Sequence, residues 1–371
     1  MKIYHTADIH IGLRFGTYDA NVRSILIEER YAVLQRMVHS ANANQCDVFV
    51  VAGDLFDHDR VADKDVRRAV DILASFTGHA VLLLAGNHDN CSDRSAKPWS
   101  TVIAHANNTS IYPLLSDEVL RFDINGEVVN FYACPCPDHT SKDHRIGWVA
   151  EHPKSSAELH IGIAHGNVVG HSLDDNHAYY SMTEEELKAS GVKTWLLGHI
   201  HVPFPLPGTV GTPTFFMPGA PTPGSVRMRH PGQAWVITID KDGEASYQAD
   251  VQAGITFKRF TVAFSQSSDL QSLQHQVQLL PPSTTILDLQ LSGMLVAQDL
   301  ATLSTWLDDL TRTMLHVRYE STVKEQLTAE MIASKYPTGT LQERVLTDLL
   351  ADADHPLDVH LAYEILQGGG R

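Results

Sequence analysis

Five short segments in the first 201 residues end in side chains that bind metal ions. They are Asp8-Ile9-His10, Gly53-Asp54, Gly86-Asn87-His88-Asp89, His165-Gly166 and Gly198-His199-Ile200-His201. Together they supply seven carboxylate, amide or imidazole ligands and one further histidine, enough to hold two divalent ions close together. Paired divalent ions typically serve to hydrolyse phosphate esters. The segments therefore predict a two-metal hydrolase.

The spacing of the ligands predicts how they divide between two ions. Side chains two residues apart on an extended chain point the same way, so Asp8 and His10 should hold one ion together with His201. Asp54 could bridge both ions, because a carboxylate has two oxygens. The ligands expected for the second ion are Asn87, His165 and His199. Imidazole and carboxylate ligands without thiolate suit manganese, iron or zinc.

His88 adjoins Asn87 but is not needed as a ligand, which leaves it free to act on the substrate. We predict that it stabilises the charge that develops at phosphorus or protonates the leaving group. Asp89 is expected to orient its ring. The expected nucleophile is a water between the ions, which the metals would make acidic enough to lose a proton.

Most of the motifs follow a short apolar run of the kind that forms a strand buried on both faces. The predicted strands are 48–52, 81–85, 159–164 and 194–197. One helix, 23–44, is predicted before the first of these strands, and another, 63–76, between the first and the second. In layered α/β proteins, sites lie beyond the carboxyl ends of the strands. The predicted fold is α/β, with a two-layered mixed β-sheet core flanked by helices and a small α/β domain at the C-terminal side.

The order of predicted elements divides the chain into three parts. Residues 1–253 form the catalytic domain, 254–335 form a small domain in β-α-β-α-β order, and 336–371 form a helical segment. Apolar residues at helical spacing in the last part fit either packing onto the small domain or docking of another protein.

Composition excludes several classes of protein. The net charge of −16, from 28 Lys and Arg against 44 Asp and Glu, argues against a general nucleic-acid coat protein, because phosphate contacts need cations. A nuclease stays open, since two bound divalent ions add positive charge where the phosphate sits. Four cysteines do not make a disulfide framework. Without a signal peptide or an apolar span of membrane length, a soluble cytoplasmic protein with no membrane association is expected.

The motifs, in this order, resemble those of the calcineurin-like metallophosphoesterase superfamily over roughly residues 1–250. The opening Ala7-Asp8-Ile9-His10-Ile11-Gly12 is closer to the DNA repair exonuclease branch, the SbcD-like nucleases of double-strand-break repair. The resemblance implies manganese as the metal, hydrolysis of DNA phosphodiesters, and a capping domain at 254–335 that helps to hold DNA. It also implies a coiled-coil ABC-type ATPase as partner, for which 336–371 is a docking candidate, and a homodimer.

Two alternatives share the same eight residues. One is a phosphodiesterase acting on cyclic nucleotides or other small phosphodiesters, and the other is a phosphoprotein phosphatase. Neither needs the C-terminal part of the chain, whose presence favours the nuclease. A short basic loop, Ser225-Val226-Arg227-Met228-Arg229-His230, is interpreted either as a phosphate contact or as an ordinary solvated loop.

Overall fold

The computed structural model describes residues 1–92, 97–107, 109–171, 178–209, 211–228, 230–252, 254–351 and 358–368. The chain splits into two compact units, Met1–Phe257 and Lys258–Arg371. In the described part of the chain, none of the helices combines the length and apolar character needed to cross a membrane.

The described residues of the first unit form eleven strands and five helices. The strands are β1 (Lys2–Thr6), β2 (Val48–Ala52), β3 (Ala80–Leu84), β4 (Ile111–Leu114), β5 (Glu118–Ile124), β6 (Glu127–Cys134), β7 (Leu159–His165), β8 (Thr194–Gly198), β9 (Phe215–Phe216), β10 (Gln233–Ile239) and β11 (Ala245–Val251). The helices are α1 (Ala20–Ala43), α2 (Asp63–Leu73), α3 (Trp99–His105), α4 (Gly147–Glu151) and α5 (Glu184–Ala189).

The strands form two mixed sheets. The six-stranded sheet has the order β11-β10-β1-β2-β3-β4, and the five-stranded sheet has the order β5-β6-β7-β8-β9. Strands β1 to β4 run parallel, as do β6 to β9, whereas β10, β11 and β5 pair antiparallel to their neighbours. The predicted α/β fold with a mixed two-sheet core is therefore confirmed.

Apolar side chains fill the space between the sheets and the outer face of each. Ile3, Val50 and Leu82 from one sheet share a core with Phe131 and Ile163 from the other. Because successive side chains on a strand point to opposite faces, the intervening residues pack outward against helices. Those of β2 and β3 contact α1 and α2, and those of β6 to β8 contact α4 and α5. Burial on both faces explains why the sequences of these strands are continuous apolar runs.

A capping box at Thr183 starts the helix α5. The Thr183 side chain accepts a hydrogen bond from the backbone N–H of Glu186, and the Glu186 carboxylate accepts one from the backbone N–H of Thr183. This reciprocal arrangement satisfies two of the N–H groups that a helix start leaves unpaired. It starts α5 immediately before the strand β8 that leads to His199.

The second unit has the predicted β-α-β-α-β order. Its elements are β12 (Thr256–Phe264), α6 (Ser267–Gln278), β13 (Thr285–Leu295), α7 (Ala297–Thr313), β14 (His316–Ser321), β15 (Lys324–Glu325), α8 (Ala329–Lys335), α9 (Leu341–Leu350) and α10 (Asp358–Gly368). A 3-10 turn spans Pro282–Thr284. Strand β13 lies centrally between β12 and β14, and its side chains share one core with α6 and α7. The last three helices form a separate small cluster around Leu346 and Ile332.

One close contact inside the five-stranded sheet yields a stability prediction. Gly162 on β7 is directly paired with Trp195 on β8, and a Cβ at Gly162 would lie 2.2 Å from the indole ring. We expect Gly162→Ala to displace that buried ring and to lower the free energy of unfolding by about 1–3 kcal/mol. Urea unfolding monitored by tryptophan fluorescence measures the change.

Gly16→Ala is the matched control, because a Cβ at Gly16 meets nothing within 4 Å. An unfolding midpoint for Gly162→Ala equal to that of the control would contradict this packing.

Candidate metal centre

Each of the five motifs lies at the carboxyl end of a central strand. Three follow β1, β2 and β3 of the six-stranded sheet, and two lie at the ends of β7 and β8 in the five-stranded sheet. Parallel strands present their carboxyl ends along one edge, so the motifs converge. The two sheets meet there through His165, whose Nδ1–H donates to the carbonyl of Ala52 at 2.8 Å. That bond leaves the Nε2 lone pair of His165 free to bind a cation.

The first group of side chains surrounds the Nε2 atoms of two histidines. Nε2 of His10 lies 3.3 Å from Nε2 of His201. The carboxylate of Asp8 lies 3.7 Å from Nε2 of His201, and that of Asp54 lies 3.8 Å from Nε2 of His10. The side chains predicted to hold one ion are thus brought together.

The second group surrounds the amide oxygen of Asn87. This oxygen lies 3.0 Å from Nε2 of His165 and 3.0 Å from Nδ1 of His199. Oδ2 of Asp54 lies 3.4 Å from Nε2 of His165. Because the same Asp54 oxygen faces His10, this carboxylate is placed beside both groups, as the sequence predicts for a bridging ligand.

The distances between these atoms fit ligands that share an ion. Ligand atoms about 2.0–2.2 Å from one ion, at angles near those of a tetrahedron or octahedron, lie about 3–3.5 Å apart. The separations of 3.3 Å between His10 and His201 and of 3.4 Å between His165 and Asp54 lie in this range. The donors are oxygens and imidazole nitrogens without thiolates, a set that suits manganese, iron or zinc. The residues present therefore fit a pair of divalent ions.

The charges of the group also favour bound cations. Asp8 and Asp54 are 0% and 1% exposed, and in the described part of the chain their ion-pair partners are imidazoles rather than lysine or arginine. Burial of carboxylates is costly unless positive charge lies nearby. Although burial opposes it, the imidazoles of His165 and His10 hold the pKa of Asp54 well below its usual value, so this carboxylate stays ionised.

The two histidines beside Asn87 differ in protonation. Although burial lowers the pKa of His165, the Asp54 carboxylate raises it to about 9, so a proton on Nε2 supplies part of the positive charge that Asp54 needs. A divalent cation that binds this nitrogen would take the place of that proton. Burial, together with the neighbouring His165, lowers the pKa of His199 to about 3. Its ring is therefore neutral and keeps a lone pair that a cation can use.

The ligands are held in backbone conformations that side chains normally avoid. Asp8, His10, Asp54 and His199 have φ angles of 55°, 51°, 53° and 92°. Such left-handed conformations cost of order 1–3 kcal/mol each and persist only where the surrounding structure imposes them. Here the imposing contacts include backbone hydrogen bonds from Asp8 N–H to the Gly53 carbonyl and from His10 N–H to the Asp54 carbonyl. Four of the eight described non-glycine residues with positive φ are thus ligand candidates.

The glycines that precede several ligands allow the loops to approach one another. A Cβ at Gly53 would lie 2.1 Å from Nδ1 of His165, and one at Gly86 would lie 2.2 Å from Oδ1 of Asp54. A Cβ at Gly198 would lie 2.0 Å from the carbonyl oxygen of Ala52. These glycines are therefore required by the convergence of the loops.

His88 lies on the open side of the group. Its backbone N–H donates to Oδ1 of Asp54 at 2.9 Å, and its ring lies edge-on to that of His10, with 4.8 Å between centroids. The expectation that Asp89 orients this ring is wrong. The Asp89 carboxylate accepts hydrogen bonds from the backbone N–H groups of Gly86 and Phe56, and the ring Nδ1 of His88 instead contacts the carbonyl of Asp57 at 2.9 Å.

Three residues near the ligands were not singled out from the sequence. Oδ1 of Asp57 lies 3.4 Å from Nδ1 of His10. Its position three residues after the predicted ligand Asp54 is the sequence feature that could have identified it. Nδ1 of His139 lies 2.9 Å from the Asn87 carbonyl, and its ring lies 5.4 Å from that of His88. The buried Arg30 donates to the carbonyls of Ile9 at 3.1 Å and Thr222 at 3.3 Å, which ties the first ligand loop to a distant loop. For His139 and Arg30 the sequence carries no motif.

The short basic loop at residues 225–230 is described except for Arg229, which lies outside the described residues. Arg227 is exposed, and Nε2 of His230 contacts the backbone carbonyl of the metal-ligand candidate His201. The loop therefore borders the metal centre.

Comparisons with known proteins identify the family. The model of the calcineurin-like phosphoesterase family matches residues 1–203. "Uncharacterized metallophosphoesterase YhaO" of Bacillus subtilis is 23% identical over 292 residues, which are 75% of this chain and 67% of that protein. "DNA double-strand break repair protein Mre11" of Aeropyrum pernix is 26% identical over 212 residues, which are 54% of this chain and 49% of that protein.

A third relative matches a shorter stretch. A protein of Staphylococcus saprophyticus that is named as a subunit of the nuclease SbcCD is 33% identical over 93 residues, which are 24% of this chain and 23% of that protein. The chain thus matches about half the length of the Mre11 relative and about a quarter of the SbcCD protein. Since the family model covers more than half of the 371 residues and includes all eight motif residues, the chain belongs to the calcineurin-like phosphoesterase family.

Proposed function

We propose that this protein hydrolyses phosphodiester bonds of DNA, as an exonuclease or endonuclease of DNA repair, with two manganese ions. The observation that carries the proposal is the convergence of the buried carboxylates of Asp8 and Asp54 with neighbouring imidazoles, beside the half-buried His88. Family membership supports metal-dependent phosphoester hydrolysis. The choice of DNA is supported by relatives whose names describe a double-strand-break repair protein and part of a nuclease.

The distances separate the proposed ligands into two groups, one for each ion. Asp8, His10 and His201 would hold one ion, and Asn87, His165 and His199 would hold the other. Asp54, which lies beside both groups, would contribute to both. When bound, the two ions supply positive charge that binds the phosphate and lowers the pKa of water. The chain's own contribution is to hold the donor atoms in place before substrate arrives, through the strained loops and the His165 bond to Ala52.

His88 is the proposed catalytic residue of the chain itself. Because its Nδ1–H donates to the Asp57 carbonyl, its other ring nitrogen, Nε2, is the atom available to the substrate. A protonated ring would donate from Nε2 to a phosphate oxygen or transfer that proton to the departing oxygen. The Asp57 carbonyl fixes the direction of the ring, so the donor needs no reorganisation during the reaction.

A partner ATPase of the coiled-coil ABC type, and a homodimer, belong to the same proposal. The support is the resemblance to a component of a nuclease complex. Helices α9 and α10 are the proposed docking segment. Leu341, Leu361 and Ile365 on these helices are 74%, 59% and 63% exposed, which is unusual for large apolar side chains and suits a helix–helix contact.

Metal binding should appear as a gain in stability. Saturating manganese, at about one hundred times Kd, is expected to stabilise the wild-type protein by about 2.7 kcal/mol for each bound ion, because the ions bind only the folded chain. EDTA should reverse the gain. Asp54→Asn should lose most of it, because one oxygen of the proposed bridging ligand becomes an amide nitrogen that cannot bind a cation. Thermal unfolding with and without manganese measures each difference.

Asp59→Asn, which changes an exposed carboxylate of the same segment, is the matched control and should keep the full gain. The ligand assignment is wrong if Asp54→Asn gains as much stability from manganese as this control does.

His88→Gln should abolish cleavage without abolishing metal binding. We expect kcat to fall about 10²–10⁴-fold, the usual contribution of a positioned acid or base, while the manganese-dependent rise in Tm stays. The substrates are linear duplex DNA, single-stranded DNA, a cyclic nucleotide and a simple phosphodiester, each with manganese, magnesium or EDTA.

His79→Gln, at an exposed position before β3, controls for the loss of any histidine. Undiminished cleavage by His88→Gln would refute its role. Cleavage of the cyclic nucleotide but of neither DNA would refute the proposed substrate while leaving the metal centre intact.

A further inference from the structure

A large cavity lies beside the metal centre, and the hydrolysis reaction itself does not use it. Its volume is about 830 Å³, and His201 lines it as well as belonging to the metal centre. Residues 202–208 form one wall, residues 227–228 and 230–231 contribute to a second, and side chains of β10 and β11 form the rest. A group bound there would therefore lie next to His201.

The lining of the cavity is mostly apolar, although it is open to solvent. Pro203, Pro205, Leu206 and Met228 contribute to it. Leu206 is 57% exposed and the adjoining Val202 is 55% exposed. Apolar side chains gathered around an open concave surface indicate a binding site for an apolar group, because leaving them in water lowers the stability of the fold without benefit.

The wall formed by residues 202–208 is fixed before any ligand binds. Phe204 exchanges two backbone hydrogen bonds with Met217, at 2.8 and 2.9 Å, and its ring stacks on that of Phe215 with 4.4 Å between centroids. On the other side, Nε2 of His230 contacts the His201 carbonyl. A preformed cavity of this kind loses little entropy when it binds a ligand.

Two polar groups make the cavity suitable for more than a hydrocarbon. Within the described part of the chain, the side-chain amide nitrogen of Gln233 is buried without a hydrogen-bond partner, and Gln233 lines the cavity. A buried donor of this kind calls for an acceptor. Arg227 at the exposed rim adds a cation in a chain whose net charge is −16. The ligand therefore combines apolar faces with a polar edge and lies next to negative charge.

We propose that this cavity binds a nucleobase of the nucleotide next to the scissile phosphate. A base has flat apolar faces for Leu206 and Met228, a polar edge for the Gln233 amide, and an attached phosphate for Arg227. The inference rests on the proposed function and deepens it, because it names the part of the DNA that the enzyme recognises. In a duplex the base must first leave its stack, so single-stranded or frayed ends are the preferred substrates.

The test compares two oligonucleotides that differ only in their bases. One is an ordinary single strand, and the other has three abasic nucleotides at each end. For the wild-type protein with manganese, removal of the terminal bases should raise KM about tenfold, within the range that base stacking contributes. Leu206→Glu and Gln233→Leu should raise KM for the ordinary strand to a similar degree. Neither variant should change kinetics on the abasic strand, and kcat should stay within about twofold.

Ile103→Glu replaces an exposed apolar residue of α3 that does not line the cavity, and it serves as the matched control with unchanged kinetics. The manganese-dependent rise in Tm establishes that each variant is folded with its metal centre intact. Equal losses on the two strands, or no loss on either, would overturn the base pocket. A wild-type protein that cleaves neither strand but cleaves a cyclic nucleotide would overturn the proposed function together with it.

Discussion

The structure depends on two buried carboxylates whose ion-pair partners, among the described residues, are imidazoles rather than lysine or arginine. Asp8 and Asp54 need positive charge at close range, and the surrounding histidines supply it only in part. Bound divalent cations would supply this positive charge, and no further charged side chain would be needed. Several other features follow from it, among them the left-handed backbone at the ligands and the glycines that allow the loops to meet. The two sheets serve as the frame that keeps these loops in place.

Much of this centre could be predicted from the sequence, because each ligand follows a strand that is buried on both faces. Strands β2, β3, β7 and β8 were predicted to within one residue at each end. Strands β5 and β6 were not predicted, since β5 is only partly buried and its sequence mixes charged and apolar residues. Asp57 and His139 act through contacts with His10, His88 and Asn87 that only the folded chain reveals. The same is true of Arg30, which donates to the carbonyl of Thr222, 192 residues further along the chain.

The substrate is determined by features outside the metal centre. The same ligand set serves any phosphate ester, so selectivity must come from surfaces that bind the rest of the molecule. We propose that the cavity beside His201 is one such surface. Because the chain is strongly acidic overall, the attraction of a negatively charged substrate would depend on the bound cations and on a few local cationic groups such as Arg227.

The proposed role of Asp54 is to join two metal sites into one catalytic centre. Crystals of the wild-type protein soaked in manganese, measured at the manganese absorption edge, test this role directly. We expect two anomalous peaks about 3.5–4 Å apart, on either side of the Asp54 carboxylate, with one beside His10 and His201 and the other beside Asn87 and His199. A single peak, or two peaks that Asp54 does not connect, would contradict it.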